Sequence, residues 1–164
     1  MTKLGTIAAA VLLFRIAGAT AVGAQVAKEF IGTWTLVSAI TEKEGVKSDI
    51  FGPHARGMLV FDGMGHYSLT IIAGDLPKFA SNNRALGNPD ENKAIIGGSL
   101  AHFGIYVVNE ADKSFLFRIE RCTFPNWEGA ELSRAFVMAG DELTYKDPRA
   151  SAGGFATVVW QRVK

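Results

Sequence analysis

From residue 30 onward, apolar and polar positions alternate in short runs separated by turn-forming residues. The first run, 30–41, places Trp34, Leu36, Ser38 and Ile40 on one face of a strand. The second, 57–61, leads into Asp62-Gly63-Met64-Gly65, a strong hairpin signal, and a third follows at 66–72. Further runs occupy 101–108, 114–122, 131–138, 142–146 and 155–163. Asn109-Glu110-Ala111-Asp112, Ala139-Gly140-Asp141 and the stretch 147–154 supply turns between them. Eight short strands at this spacing predict an all-β, antiparallel up-and-down barrel. A barrel of that size has an interior that side chains fill or that admits one small ligand.

One stretch departs from this rhythm. Residues 77–86 are polar and turn-rich, and Asn88-Pro89-Asp90-Glu91-Asn92 reads as a helix start. Asn88 is the expected cap, Pro89 takes the first position, and acidic residues fill the first turn. Gly97-Gly98 is the expected stop. The expected architecture therefore has one short helix in a long loop after the third strand. Such a loop serves either as a functional lid or as a plug over one barrel end.

The chain begins differently. Lys3 is followed by an apolar run from Ile7 to Phe14 and then by small residues as far as Ala24. This is the three-part pattern of a secretory signal, with small-x-small sites ending at Ala21 and Ala24. Arg15 interrupts the apolar region; it also spoils an anchoring helix, which needs about 20 predominantly apolar residues. The expected organisation is a signal peptide at 1–24 and one barrel domain at 25–164, exported to the periplasm or secreted. Losing Lys3 and Arg15 with the leader takes the formal net charge from +1 to −1. With no basic patch or charge run, nucleic acid is not an expected partner. No segment after the leader is long and apolar enough to cross a membrane as a helix.

Several segments resemble the bacterial and fungal lipocalin-like domain family. They begin with Phe30-Ile31-Gly32-Thr33-Trp34-Thr35-Leu36-Val37-Ser38 and Phe51-Gly52-Pro53. Gly57-Met58-Leu59-Val60-Phe61-Asp62, Gly65-His66-Tyr67-Ser68 and Phe79-Ala80-Ser81-Asn82-Asn83-Arg84 follow. The set closes with Ala101-His102-Phe103-Gly104-Ile105-Tyr106, Phe124-Pro125-Asn126-Trp127-Glu128-Gly129 and Val159-Trp160-Gln161-Arg162. No single motif is specific, but their order is, and the resemblance covers nearly the whole chain after the leader. It implies a lipocalin-type barrel without a settled common activity. The better-known lipocalins carry Gly-x-Trp in the first strand and a basic residue near the last strand that stacks over the Trp. Gly32, Trp34 and Arg162 match that arrangement, which implies a structural closure of one barrel end supported by cation–π contact. A second lipocalin motif and a lipocalin-type disulfide are missing.

Candidate chemistry lies in the middle strands. If Asn109–Asp112 makes the turn, His102 comes opposite Glu120; if the next pair joins around Pro125-Asn126, Arg118 and Arg134 come opposite, with Glu120 diagonal to Arg134. His102, Tyr106, Glu120 and Arg134 form a catalytic candidate set, suited to polarising a carbonyl or moving a proton. The same residues, with Tyr67, Arg118 and Trp127, are the ligand-binding candidates. Against both stands the opposite face: Phe103, Ile105 and Val107, then Phe115, Phe117 and Ile119, then Ala135 and Val137. Ordinary patterning turns that apolar face inward and leaves the polar stripe in solvent as weak ion pairs. A one-residue change of register reverses the two.

The remaining reactive residues carry less. Cys122 is the single cysteine, which rules out an internal disulfide, and it reads as a small buried apolar residue or a cross-linking thiol. His54 and His66 are scattered, no metal-ligand spacing occurs, and no metal or cofactor is expected. Trp127 sits either at an exposed loop tip or beside the barrel mouth as a gate. The leading expectation is an exported barrel that binds a small apolar or amphipathic molecule. An isomerase, cyclase or hydrolase acting on an apolar substrate is the first alternative, and a ligand-free structural or interaction module the second.

Overall fold

The computed structural model describes residues 27–164; the expected leader at 1–24 lies outside them. Among these residues are strands β1 (Gly32–Lys43), β2 (Val46–Asp49), β3 (Arg56–Phe61), β4 (His66–Ile72) and β5 (Ser99–Asn109). After them come β6 (Ser114–Cys122), β7 (Glu131–Ala139), β8 (Glu142–Asp147) and β9 (Phe155–Arg162). The sheet runs β2-β1-β3-β4-β5-β6-β7-β8-β9, and β1 also pairs with β9, so eight strands close an antiparallel up-and-down barrel. The eight expected strands are all present. β2 is an addition: a hairpin arm paired only to Ile40–Lys43 and fully exposed, whose polar sequence Val46-Lys47-Ser48-Asp49 has no apolar face to announce it.

Closure depends on breaks in strand alternation. In β1 the register with β9 slips between Leu36 and Ser38, leaving Val37 as an extra residue. Parity changes there: Trp34 and Leu36 face inward before the bulge, and Ala39, 5% exposed, faces inward after it. The single face expected for Trp34, Leu36, Ser38 and Ile40 is therefore broken in the middle. A second slip, between Phe103 and Gly104 on β5, leaves Glu120 of β6 as the extra residue. Gly104 is required at that point, because a Cβ there would overlap the Arg118 carbonyl oxygen. Gly104→Ala is expected to destabilise the barrel by about 1–3 kcal/mol through overpacking, measurable as a fall in the urea midpoint. An unchanged midpoint would show that β5 and β6 do not approach this closely.

One barrel end is sealed. Ala27 to Phe30 form a turn under it, with Phe30 fully buried against Phe61, Phe115 and Phe136 at ring-centroid distances of 5.4, 5.6 and 4.9 Å. Trp34, also fully buried, donates its indole N–H to the Phe30 carbonyl at 2.9 Å. The Arg162 guanidinium carbon lies 4.1 Å from the centre of the Trp34 ring. Its Nη1 donates to the Ile31 carbonyl at 2.7 Å and its Nη2 to the Glu29 carbonyl. Gly32 has φ +132°, and a Cβ there would stand 3.1 Å from Arg162 Nη1, so the turn, the Trp and the Arg form one closure.

The opposite end carries the longer connections. The helix α1 (Pro89–Gly97) follows β4, as the fourth strand once β2 is counted. Asn88 caps it by accepting from the Asp90 and Glu91 N–H groups, at 3.0 and 2.9 Å. Glu91 completes a capping box and also accepts from Ala80 N–H at 2.9 Å; these backbone bonds hold its carboxyl below the usual carboxylate range. The helix packs beside the start of β5 and contributes no residue to the barrel interior. The sequence left lid and plug readings open for this loop; the helix itself supplies no lining residue of the barrel cavity.

Candidate ligand-binding site

The two halves of the barrel interior differ. Toward the sealed end, Phe30, Phe61, Tyr106, Phe115 and Phe136 pack ring against ring and leave no opening. Toward the long loops, shorter side chains stand between polar ones, and a cavity opens. Its wall is formed by Ala39, Leu69, Ile71, Phe117, Ala156 and Val158, and its rim by Ile50, Phe51, Leu100, Trp127, Ala150 and Ser151. The cavity volume is 40 Å³, room for about three waters at ~10–15 Å³ each. With the open mouth included, the empty space is 480 Å³.

Two polar pairs face this cavity or support it. In the first, the Tyr67 hydroxyl lies 2.9 Å from His102 Nδ1. His102 is 5% exposed and its ring stands edge-to-face with Tyr67, Phe117 and Trp127. Burial, with Arg134 acting in the same direction, pulls the His102 pKa down to about 4, so the imidazole is neutral at physiological pH. Burial likewise raises the Tyr67 pKa, so that hydroxyl keeps its proton. No other acceptor for it occurs among the described residues, so it donates to Nδ1 and the ring proton sits on Nε2.

The second pair is ionic. Arg134 Nη2 donates to Asp147 Oδ2 at 2.8 Å, with side chains only 6% and 8% exposed. Arg134 Nη1 donates to the Ser133 carbonyl at 3.1 Å, and Asp147 Oδ1 accepts from the Arg149 N–H at 2.9 Å. Burial lowers the Arg134 pKa while Asp147 raises it; the guanidinium stays charged because its ordinary value is so high. Tyr145, between the pairs and β9, has a pKa pushed up to about 12, mainly by burial. The Trp160 indole N–H, sealed from solvent, makes no hydrogen bond of good geometry among the described residues, although it lies near the Tyr145 hydroxyl.

A family model of the lipocalin-like domain matches residues 31–163. The chain belongs to the lipocalin-like domain family. No curated protein matches it. The resemblance carried by the ordered motifs thus points to the same family as the match and the eight-stranded closed barrel. Among the described residues of this lipocalin-like barrel, no helix is long and apolar enough to cross a membrane.

The barrel divides the candidate residues between inside and outside. Tyr67, His102, Tyr106 and Arg134 point inward, and Trp127 stands half-buried on the rim. Tyr106 lies in the sealed half, where its hydroxyl donates to the Asp62 carbonyl at 2.8 Å, so it does not reach the cavity. Glu120 and Arg118 are exposed on the outer wall, and Arg118 pairs there with Glu131 at 2.8 Å. The expected pairing of His102 with Glu120 is therefore not formed, and Cys122 is opposite His102 instead. Nor do Arg118 and Arg134 face each other: Arg118 is opposite Glu131 and Arg134 is opposite Phe115.

The reason is a change of register. The β5–β6 turn holds residues 110–113, one position later than assumed, and the bulge at Glu120 adds another shift. The apolar stripe expected to share one side is divided as well. Phe115, Phe117 and Ile119 face in, while Phe103, Ile105 and Val137 are 47%, 38% and 65% exposed. β5 and β7 thus turn His102 and Arg134 inward on either side of an apolar inner face of β6.

Asp147 and Tyr145 were missed. Asp147 heads a turn-rich stretch and reads as solvated, yet alternation along β8 places Leu143, Tyr145 and Asp147 on one buried face. That was the available signal. Cys122 packs partly buried against the core and its Sγ accepts from the Phe124 N–H at 3.3 Å; burial raises its thiol pKa, which disfavours a nucleophilic role.

Proposed function

We propose that this chain is an exported barrel that holds a small, slender apolar or amphipathic molecule in its interior without chemical change. The observation that carries this reading is the cavity at the long-loop end: apolar walls with a few convergent polar groups, above a sealed aromatic floor. A free volume of 40 Å³ is narrow, so the rim side chains Phe51 and Trp127 must swing outward for anything larger than a few atoms. Export is supported by the leader pattern at residues 1–24, and a periplasmic or secreted location follows from it.

The enzymatic alternative has less support. Of its four candidates, Glu120 lies outside the barrel and Tyr106 donates to the backbone at the sealed end. That leaves His102 and Arg134, with Arg134 already paired to Asp147. Native mass spectrometry of the protein purified from its own export compartment tests the binding reading. A co-purifying small molecule released on unfolding is expected. A bare chain that also takes up no added apolar probe would overturn the reading and favour a ligand-free module.

A further inference from the structure

The polar groups around the cavity form two pairs that are each electrically neutral, and this restricts the ligand's polar head. Arg134 is the one buried cation on the cavity wall among the described residues, and Asp147 already neutralises it at 2.8 Å. A carboxylate entering beside Arg134 would also meet the Asp147 carboxylate, which lies 2.8 Å from the guanidinium, so attraction and repulsion oppose each other. The cost of removing a second carboxylate from water is then left uncompensated. A cationic head fares no better, because Asp147 is held by Arg134 and by the Arg149 N–H. What the cavity does offer is a neutral donor: with Tyr67 donating to Nδ1, the Nε2–H of His102 has no partner among the described residues. An uncharged imidazole of this kind donates to a carbonyl, ether or hydroxyl oxygen without demanding a counter-charge.

We propose that the ligand bears an uncharged hydrogen-bond acceptor, received by His102, and that the Arg134–Asp147 pair makes the cavity reject a carboxylate on the same carbon chain. This inference rests on the binding reading above. Two probes of equal chain length separate them: 2-nonanone and nonanoate, titrated into the wild-type protein near neutral pH and followed by calorimetry. The ketone is expected to bind at least about tenfold more tightly. Equal affinities, or tighter binding of nonanoate, would overturn the proposal while leaving the container reading intact. Binding of neither probe would overturn both. Asp147→Asn, which frees the Arg134 charge, is expected to lower the ketone-to-nonanoate affinity ratio by at least about tenfold. His102→Phe is expected to lower the ketone-to-nonanoate affinity ratio by about tenfold, and an unchanged ratio would overturn the role given to His102. If the Asn variant does not fold, the wild-type ratio and the Phe variant still decide.

Discussion

Asp147→Ala is expected to lower the unfolding free energy by about 3–5 kcal/mol, a large fraction of what a domain of this size possesses. The pair it breaks sits inside the barrel, with both side chains at least nine-tenths buried and 2.8 Å apart. Burying two charges is costly, and their attraction offsets that cost only while both are present. Removing Asp147 leaves the Arg134 guanidinium in an apolar interior with the Ser133 carbonyl as its remaining acceptor among the described residues. Glu131→Ala supplies the contrast, because the Arg118–Glu131 pair is more than half exposed on both sides. It is expected to change stability by no more than about 1 kcal/mol. Urea unfolding of the two variants beside the wild type reads the difference. Similar small losses for both would mean that water reaches the Arg134–Asp147 pair and that the cavity is open to its base.

Stability is expected to fall by up to about 3 kcal/mol as the pH drops from about 6.5 toward 4, through His102 alone. In the unfolded chain this histidine takes up its proton near the ordinary value of about 6.5. In the folded barrel, burial and Arg134 postpone protonation until about pH 4. Between those values the unfolded state binds more protons, so acid draws the equilibrium toward it. Above about pH 6.5 the contribution is present in full, and it is lost progressively below. Carboxylates titrate over part of the same range, so the informative quantity is the difference between wild type and His102→Gln. Denaturation midpoints at neutral pH and near pH 4.5 are expected to separate less for the variant than for the wild type. Parallel pH profiles would place the imidazole in contact with water.

Much of the fold was legible because it follows from local chemistry. Turn residues at Asp62-Gly63-Met64-Gly65 and Ala139-Gly140-Asp141 bracket strands that form where the alternation places them. The Asn88 cap with Pro89 behind it specifies a helix start whatever the surroundings. The candidate site was less legible, and the residues involved show why. His102, Tyr106 and Arg134 were found because polar residues in an apolar rhythm stand out, yet alternation alone does not say which side of a strand is the inside. Glu120 and Arg118 were grouped with them by counting across a turn, but the turn lies one position later and Glu120 is bulged, and both residues stand on the outer wall. Asp147 went unnoticed because its neighbours read as a turn, although its place two positions beyond Tyr145 set it on the inward face.

By itself, then, the amino-acid sequence determined the strand and turn pattern, the helix and its cap, and the family to which the chain belongs. All of these depend on residue type at short spacing, where propensity and alternation act directly. Barrel closure decided the rest. It placed bulges at Val37 and Glu120, turned His102 and Arg134 inward while Phe103 and Ile105 faced out, and brought Arg134 against Asp147 thirteen residues away. The physical reason is that a strand's two faces are equivalent until its neighbours are in place. Register is then set by the requirement that eight strands close on one filled interior, which no single segment expresses.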